Sequence, residues 1–214
     1  MLQVGDRLPH AKLQLSVLMR QPMLPTTEPQ VHLWTRDEYY RLADLNFFQG
    51  RRVELIEGQV IDMAAMKSPH AIAIDLIDTA LRPGFGKDYY IRQQKPFVIS
   101  DISEPEPDIA VVPGSIRDYA DAHPTTALLI VEVADTSLRY DRKVKGSLYA
   151  KAGIAEYWIL NLHNRQLEIY RDPVADDAAE YGFSYCMKQK YSAEQMVSSV
   201  AGIEAAIAVA DLLP

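Results

Sequence analysis

The chain has 214 residues, with 22 Lys or Arg against 29 Asp or Glu, a formal net charge of −7 at pH 7 with histidines neutral. At 48% hydrophobic and 24% charged residues, the composition is that of one ordinary globular domain and excludes disordered, collagen-like and coiled-coil chains. A pI near 5.2 argues against coating nucleic acid by bulk charge, which needs many Lys/Arg–phosphate contacts, but leaves room for a local basic groove.

The first thirty residues carry Pro9, Pro22, Pro25 and Pro29, and proline fixes φ and disfavours helix before it, so 1–30 is expected to be an irregular arm preceding a single domain over 31–214. Charges in MLQVGDRLPHAK stand where a secretory signal needs an apolar run, and no stretch approaches the roughly 18 apolar residues of a bilayer span. A soluble cytoplasmic protein with no membrane partner is the expectation. Thr35 with Glu38 forms a capping box, and Tyr39, Leu42 and Leu45 lie at helical spacing, predicting a helix over about 36–47. Residues 51–66 read as two short strands around a Glu57-Gly58 turn.

Pro69 opens a second helix, with Ile72, Leu76, Ile77 and Ala80 on one side, that stops before Pro83-Gly84. The runs YYIRQQ with KPFVIS, then PDIAVV, then ALLIVEVA are rich in β-branched and aromatic residues and predict strands, with a short surface helix within 114–122. A helix over about 138–152 ends at Gly153, suited to a left-handed cap. Strands EYWILN, QLEIYR and YCMKQKY and an apolar tail (GIEAAIAVADLLP) complete the chain. Cys186, the single cysteine, reads as a small half-buried apolar residue, and Tyr157 and Trp158 as core. The order of elements predicts an α/β (α+β) fold, a mixed sheet flanked by helices.

Three carboxylates stand where carboxylates are costly. Glu132 interrupts ALLIVEVA, a run that otherwise reads as a strand buried on both faces, and a buried carboxylate needs a partner or a metal. Alternation puts Leu128, Ile130, Glu132 and Ala134 on one face, and Asp108, Ala110 and Val112 on one face of the preceding strand, so the two acids converge if the strands are neighbours. Glu54 sits mid-strand among apolar residues, whereas Glu57, beside Gly58, is expected to point to water. Taken singly, Asp108 and Glu54 could be strand-end residues in water and Glu132 the partner of a buried arginine or lysine. Together they make an all-oxygen set suited to Mg²⁺ or Mn²⁺.

Asp141, Lys145 and Tyr149 share one helix face at i, i+4, i+8. Lys145 either reaches the acids, where it can stabilise charge on a phosphate or orient a water, or forms a solvated pair with Asp141. Arg139, Arg142, Lys143, Lys145 and Lys151 make this the most basic segment of the chain, placed to meet a phosphate backbone.

These residues also resemble a known family. The order E-L-I-E-G at 54–58, S-P-H at 68–70, P-E-P-D-I-A-V-V at 105–112, I-V-E-V at 130–133 and Y-D-R-x-x-K with L-Y-A-x-A-G-I-x-E-Y-W-I through 140–159 is similar to the Uma-type, restriction-endonuclease-like family of the PD-(D/E)XK superfamily. The resemblance spans about residues 33 to 172. It implies a restriction-endonuclease-like fold, endonuclease activity and Mg²⁺ or a similar ion as cofactor. Asp108 takes the place of the motif's Asp, Glu132 that of its (D/E), and Glu54 that of the earlier acid. The motif's lysine, two residues after the (D/E), would fall at Ala134; Lys145 on the following helix matches its displaced position. His70 also matches a family position and could contact a metal-bound water or a phosphate, and Gln94 could orient a substrate or a carboxylate.

The expectation is a metal-dependent endonuclease with nucleic acid, DNA first, as partner and Asp108, Glu132, Glu54 and Lys145 as its working residues. A homodimer is the default for a double-strand cutter, two sites addressing two strands. The empty lysine position and the acidic charge keep open a nuclease-like binding or assembly module without turnover. A metal-free hydrolase using two carboxylates is the remaining alternative, and the chain lacks the aromatic-rich pattern of a sugar cleft.

Overall fold

A computed structural model describes residues 29–198 and 206–214. The arm expected over 1–30 lies outside the described residues except for its last two, as does the start of the apolar tail. His32–Pro214 forms one compact unit.

The first helix, α1 (Arg36–Asp44), starts at the predicted capping box: Thr35 and Glu38 exchange hydrogen bonds with each other's backbone N–H. It ends three residues earlier than expected because Asn46 turns left-handed at φ 59°. Strands β1 (Val53–Ile56) and β2 (Gln59–Asp62) form the predicted hairpin. Its two turn residues, Glu57 and Gly58, both have positive φ (46° and 77°), the combination of a type I′ turn that matches strand twist. A Cβ at Gly58 would lie 2.5 Å from Leu33 Cβ and 2.9 Å from its Cα. Gly58→Ala is therefore expected to cost about 2–4 kcal/mol, combining left-handed strain with overpacking; urea denaturation measures it, and a loss below 0.5 kcal/mol (about a tenth of a small domain's stability) would contradict this close approach.

Helix α2 (Ser68–Phe85) runs through Pro83 instead of stopping before it. Pro83 sits in the last turn, where its ring costs one backbone bond, and continuing to Phe85 buries that ring against the core. Strand β3 (Tyr89–Gln93) follows, but KPFVIS is no strand. Phe97, Val98 and Ile99 donate instead to Pro105, Pro124 and Ser103, so this segment is pinned as an irregular loop with Phe97 buried.

Strands β4 (Ile109–Pro113) and β5 (Leu129–Ala134) flank the predicted short helix, a 3₁₀ turn at Ile116–Tyr119. The helix expected over 138–152 is three pieces in series: α3 (Leu138–Tyr140), a π-helical turn (Asp141–Lys145) and α4 (Gly146–Lys151). Gly146 N–H donates to Asp141 C=O, five residues back, and such π-bulges gather at functional sites. Gly153, at φ 73°, closes the helix as predicted.

Strands β6 (Glu156–Asn161), β7 (Gln166–Ala175) and β8 (Phe183–Ser192) complete a six-stranded sheet of order β3-β4-β5-β6-β7-β8. Only β5 and β6 pair in parallel, joined by the α3–α4 segment as crossover. The long β7–β8 hairpin runs past the end of β6, so Pro173, facing no partner on that side, costs no ladder bond.

Alternation sorts the sheet into two cores. On one face Ile109, Val111, Leu129, Val131, Val133 and Trp158 pack with Ile74, Ile77 and Leu81 of α2 and with Val209 and Leu212 at the chain's end. On the other, Ala110, Val112, Ile130, Ala134, Tyr157 and Ile159 pack with Tyr149 and Ala150 of α4. Tyr157 and Trp158 are core, as read from the sequence. Cys186 is not half-buried but exposed, because β8 is an edge strand whose inward alternation falls on Tyr185. Among the described residues, no helix is long and apolar enough to cross a membrane.

Candidate active site

The predicted convergence of acids occurs where β4 begins and β5 ends. Antiparallel pairing of β4 with β5 places Asp108 and Glu132 on one face of adjacent strands, and Asp108 N–H lies 3.4 Å from Glu132 Oε2. Asp108 is held by three donors. His70 Nε2–H donates to Oδ1 at 3.0 Å, the carboxylate being able only to accept, Gln94 Nε2 donates to the same oxygen at 3.0 Å, and the Val133 N–H donates to Oδ2 at 2.9 Å. Burial alone would raise its carboxyl, yet these bonds together hold it below the usual range. Gln94 reaches Asp108 because it turns left-handed (φ 47°) at the end of β3.

Glu132 has different neighbours. Its Oε1 accepts from Lys145 Nζ at 3.0 Å and from the Tyr149 hydroxyl at 2.7 Å. Burial pushes its carboxyl up to about 8, with Lys145 opposing and Asp108, Asp141 and Glu54 adding to the rise. Four acids around one lysine leave surplus negative charge in a poorly solvated place, which disfavours the ionised form of Glu132. Lys145 itself is held well above its ordinary value: burial disfavours its charge, but Glu132 and Glu54 outweigh burial. Asp141, one π-turn earlier, accepts from the Ser137 hydroxyl at 2.5 Å and is likewise raised by burial, to about 6.

Glu54 joins the cluster through Lys145, whose Nζ is 3.1 Å from its Oε1 and 2.9 Å from its Oε2. It is fully buried. Asp108, Glu132, Asp141, Lys145 and His70 all line an open cleft of about 340 Å³, together with Met63, Ala64 and Met66, and Glu54 does not. The structure thus brings together all six residues singled out from the sequence, four of them on the cleft; Gln94 borders the adjoining groove.

Among the polar residues of the cleft and its floor that sequence reasoning does not single out are Asp141, Tyr149 and Glu106. Asp141 and Tyr149 had only their shared helix face with Lys145 as a signal. Glu106 gave none beyond its place in P-E-P-D; it lies on the cleft with Arg52 3.6 Å away, its carboxyl raised by burial and partly lowered by Arg52. The basic run on the crossover is mostly spent internally. Arg142 pairs with buried Glu168 on the sheet, Lys145 points inward, and Lys151 holds Glu57 at 2.7 Å. Helical spacing sends these cations around the axis: Arg139, Lys143 and Lys151 are exposed, and of these only Lys151 is already paired among the described residues, with Glu57.

Asp108 and Glu132 offer hard oxygen donors on the cleft, the chemistry that suits Mg²⁺ or Mn²⁺. Among the described residues no three of His, Cys, Asp and Glu are grouped to enclose an ion. The fit is to an ion held by two protein carboxylates and completed from the cleft side, the way Mg²⁺ is usually bound with water and substrate phosphates.

A central mixed sheet with helices on both faces, and acids gathered at the ends of adjacent strands, is the architecture of nuclease-like folds. A crystal structure of a "putative nuclease" from Anabaena variabilis shares this fold at a TM-score of 0.60 and 16% sequence identity, covering 83% of this chain and 96% of that one. The family model Uma2, described as "Putative restriction endonuclease", matches residues 36–209, and the chain belongs to that family. No curated protein matches the chain.

Proposed function

We propose that the protein is a divalent-metal-dependent endonuclease that hydrolyses phosphodiester bonds in DNA. The observation that carries this reading is the pair Asp108 and Glu132, side by side on neighbouring strands, open to one cleft and backed by a buried lysine. Asp108 and Glu132 would hold Mg²⁺ or Mn²⁺, which when bound supplies a polarised phosphoryl oxygen and an acidified water. His70 and Gln94 fix the Asp108 carboxylate through Oδ1, keeping it ionised and oriented. Lys145 presents its ammonium beside Glu132, where a compact cation stabilises charge growing on a phosphate. Arg139 and Lys143 are the exposed cations of the crossover nearest in sequence to this floor, available to a backbone phosphate.

One observation favours a silent nuclease-like binding module instead: Lys145 is only 1% exposed and already saturated by two carboxylates. Calorimetric titration with Mn²⁺ separates the readings. Wild type is expected to bind one ion and Asp108→Ala none; unaltered binding in Asp108→Ala would remove the proposed metal site, and binding without nicking of plasmid DNA would favour the silent module.

A further inference from the structure

The two oxygens of Glu132 are not equivalent. Oε1 is taken by Lys145 and Tyr149, whereas Oε2 has only the 3.4 Å contact from the Asp108 N–H. Glu54 is similarly one-sided. Its Oε2 sits 2.9 Å from Lys145 Nζ yet outside hydrogen-bond geometry, so the lysine's charge is what compensates it. To reach the cleft, Glu54 would have to displace Lys145 and leave a buried ammonium short of partners, a strongly unfavourable exchange.

Resting on the reading that Asp108 and Glu132 hold the ion, we infer that Glu54 is a positioning residue for Lys145 and not a third metal ligand. Lys145 is then an internal cation tethered between Glu54 and Glu132. It and Tyr149 occupy Oε1 of Glu132 and leave Oε2 available to the ion. The fold supplies this division by placing Lys145 on a π-helical turn, directly before α4, which carries Tyr149, so that both side chains converge on one oxygen from the same helical segment. The earlier strand β1 contributes Glu54 from the opposite side, across 91 residues of chain.

The test compares Mn²⁺ affinity, by calorimetry, with turnover in plasmid nicking at saturating Mn²⁺, for the full chain and three variants whose melting is checked first. Asp108→Asn should lose Mn²⁺ binding by about 100-fold or more, as a ligand should. Glu54→Gln should bind Mn²⁺ within about threefold of wild type while kcat falls about 10- to 100-fold, the range for removal of a supporting contact. Should Glu54→Gln not fold, the double variant Glu54→Leu with Lys145→Met removes the acid together with the cation that it compensates, so that no buried ammonium is left short of partners, and should keep Mn²⁺ affinity within about tenfold of wild type. A loss of affinity in Glu54→Gln or in the double variant comparable to that of Asp108→Asn would make Glu54 a ligand and overturn the inference alone. Unchanged kcat in Glu54→Gln would reduce it to a packing role and also overturn it. Failure of the wild type to bind Mn²⁺ would instead remove the metal site on which it rests.

Discussion

Glu132→Gln is expected to lower plasmid nicking at saturating Mn²⁺ by about three orders of magnitude while leaving the fold intact. The amide keeps the shape of the side chain and one oxygen to accept from Lys145 and Tyr149, but it removes the ionised oxygen beside Asp108. A bound divalent ion contributes several kcal/mol of transition-state stabilisation, and each 1.36 kcal/mol is tenfold in rate. Nicking retained within tenfold would mean that Glu132 does not hold the ion.

The same variant has a signature in pH. With its carboxyl pushed up to about 8 by burial, folded Glu132 binds more proton than the unfolded chain between its ordinary value of 4.5 and 8. Stability therefore falls as pH rises through that window, and Glu132→Gln should flatten the slope. Mn²⁺ affinity of the wild type should rise over the same window, because the ligand must shed its proton.

Lys145→Met is expected to cost about 3–5 kcal/mol of folding stability, the usual penalty for removing one partner of a buried ion pair, against a total of about 5–15 kcal/mol for a domain of this kind. Lys145 is the cation that both Glu54, at 0% exposure, and Glu132, at 5%, touch within 3.1 Å. Methionine fills a similar volume but leaves both carboxylates in a poorly solvated pocket. Urea denaturation should show a lower midpoint at an unchanged slope. The loss should shrink toward acidic pH as Glu132, already raised, takes up a proton more readily without the lysine. A loss under 1 kcal/mol would show that water or rearrangement reaches these acids and that the lysine is not their main compensation.

The acids were legible from the sequence for a physical reason. A carboxylate inside ALLIVEVA or RVELIEG breaks a burial pattern, and strand alternation then fixes which face it shares with Asp108. Lys145 was legible as one position on a helix face, but its place between two acids needed the crossover to pack on the sheet. Glu106 and Tyr149 carry little signal as site residues because an acid between prolines and a tyrosine on an apolar face are ordinary in sequence; only tertiary packing brings Arg52 to Glu106 and Glu132 to Tyr149. The differences between sequence and fold share one origin. Local preference points to a stop at Pro83 and a strand at KPFVIS, whereas burial of Phe85 and Phe97 decides the outcome. Residue type points to a half-buried Cys186, whereas its place on an edge strand exposes it. The basic run of the crossover looks like one patch in sequence, but a helix distributes its five cations over all its sides.

The central claim is that Asp108 and Glu132 hold a divalent ion on the cleft while Glu54 stays behind Lys145. Anomalous diffraction from crystals soaked in Mn²⁺ tests it most directly. The expected result is one anomalous peak within roughly 2.1 Å, the distance for a small hard cation, of oxygens from both Asp108 and Glu132, with Glu54 still on Lys145. A peak ligated by Glu54, or one that touches neither Asp108 nor Glu132, would contradict it.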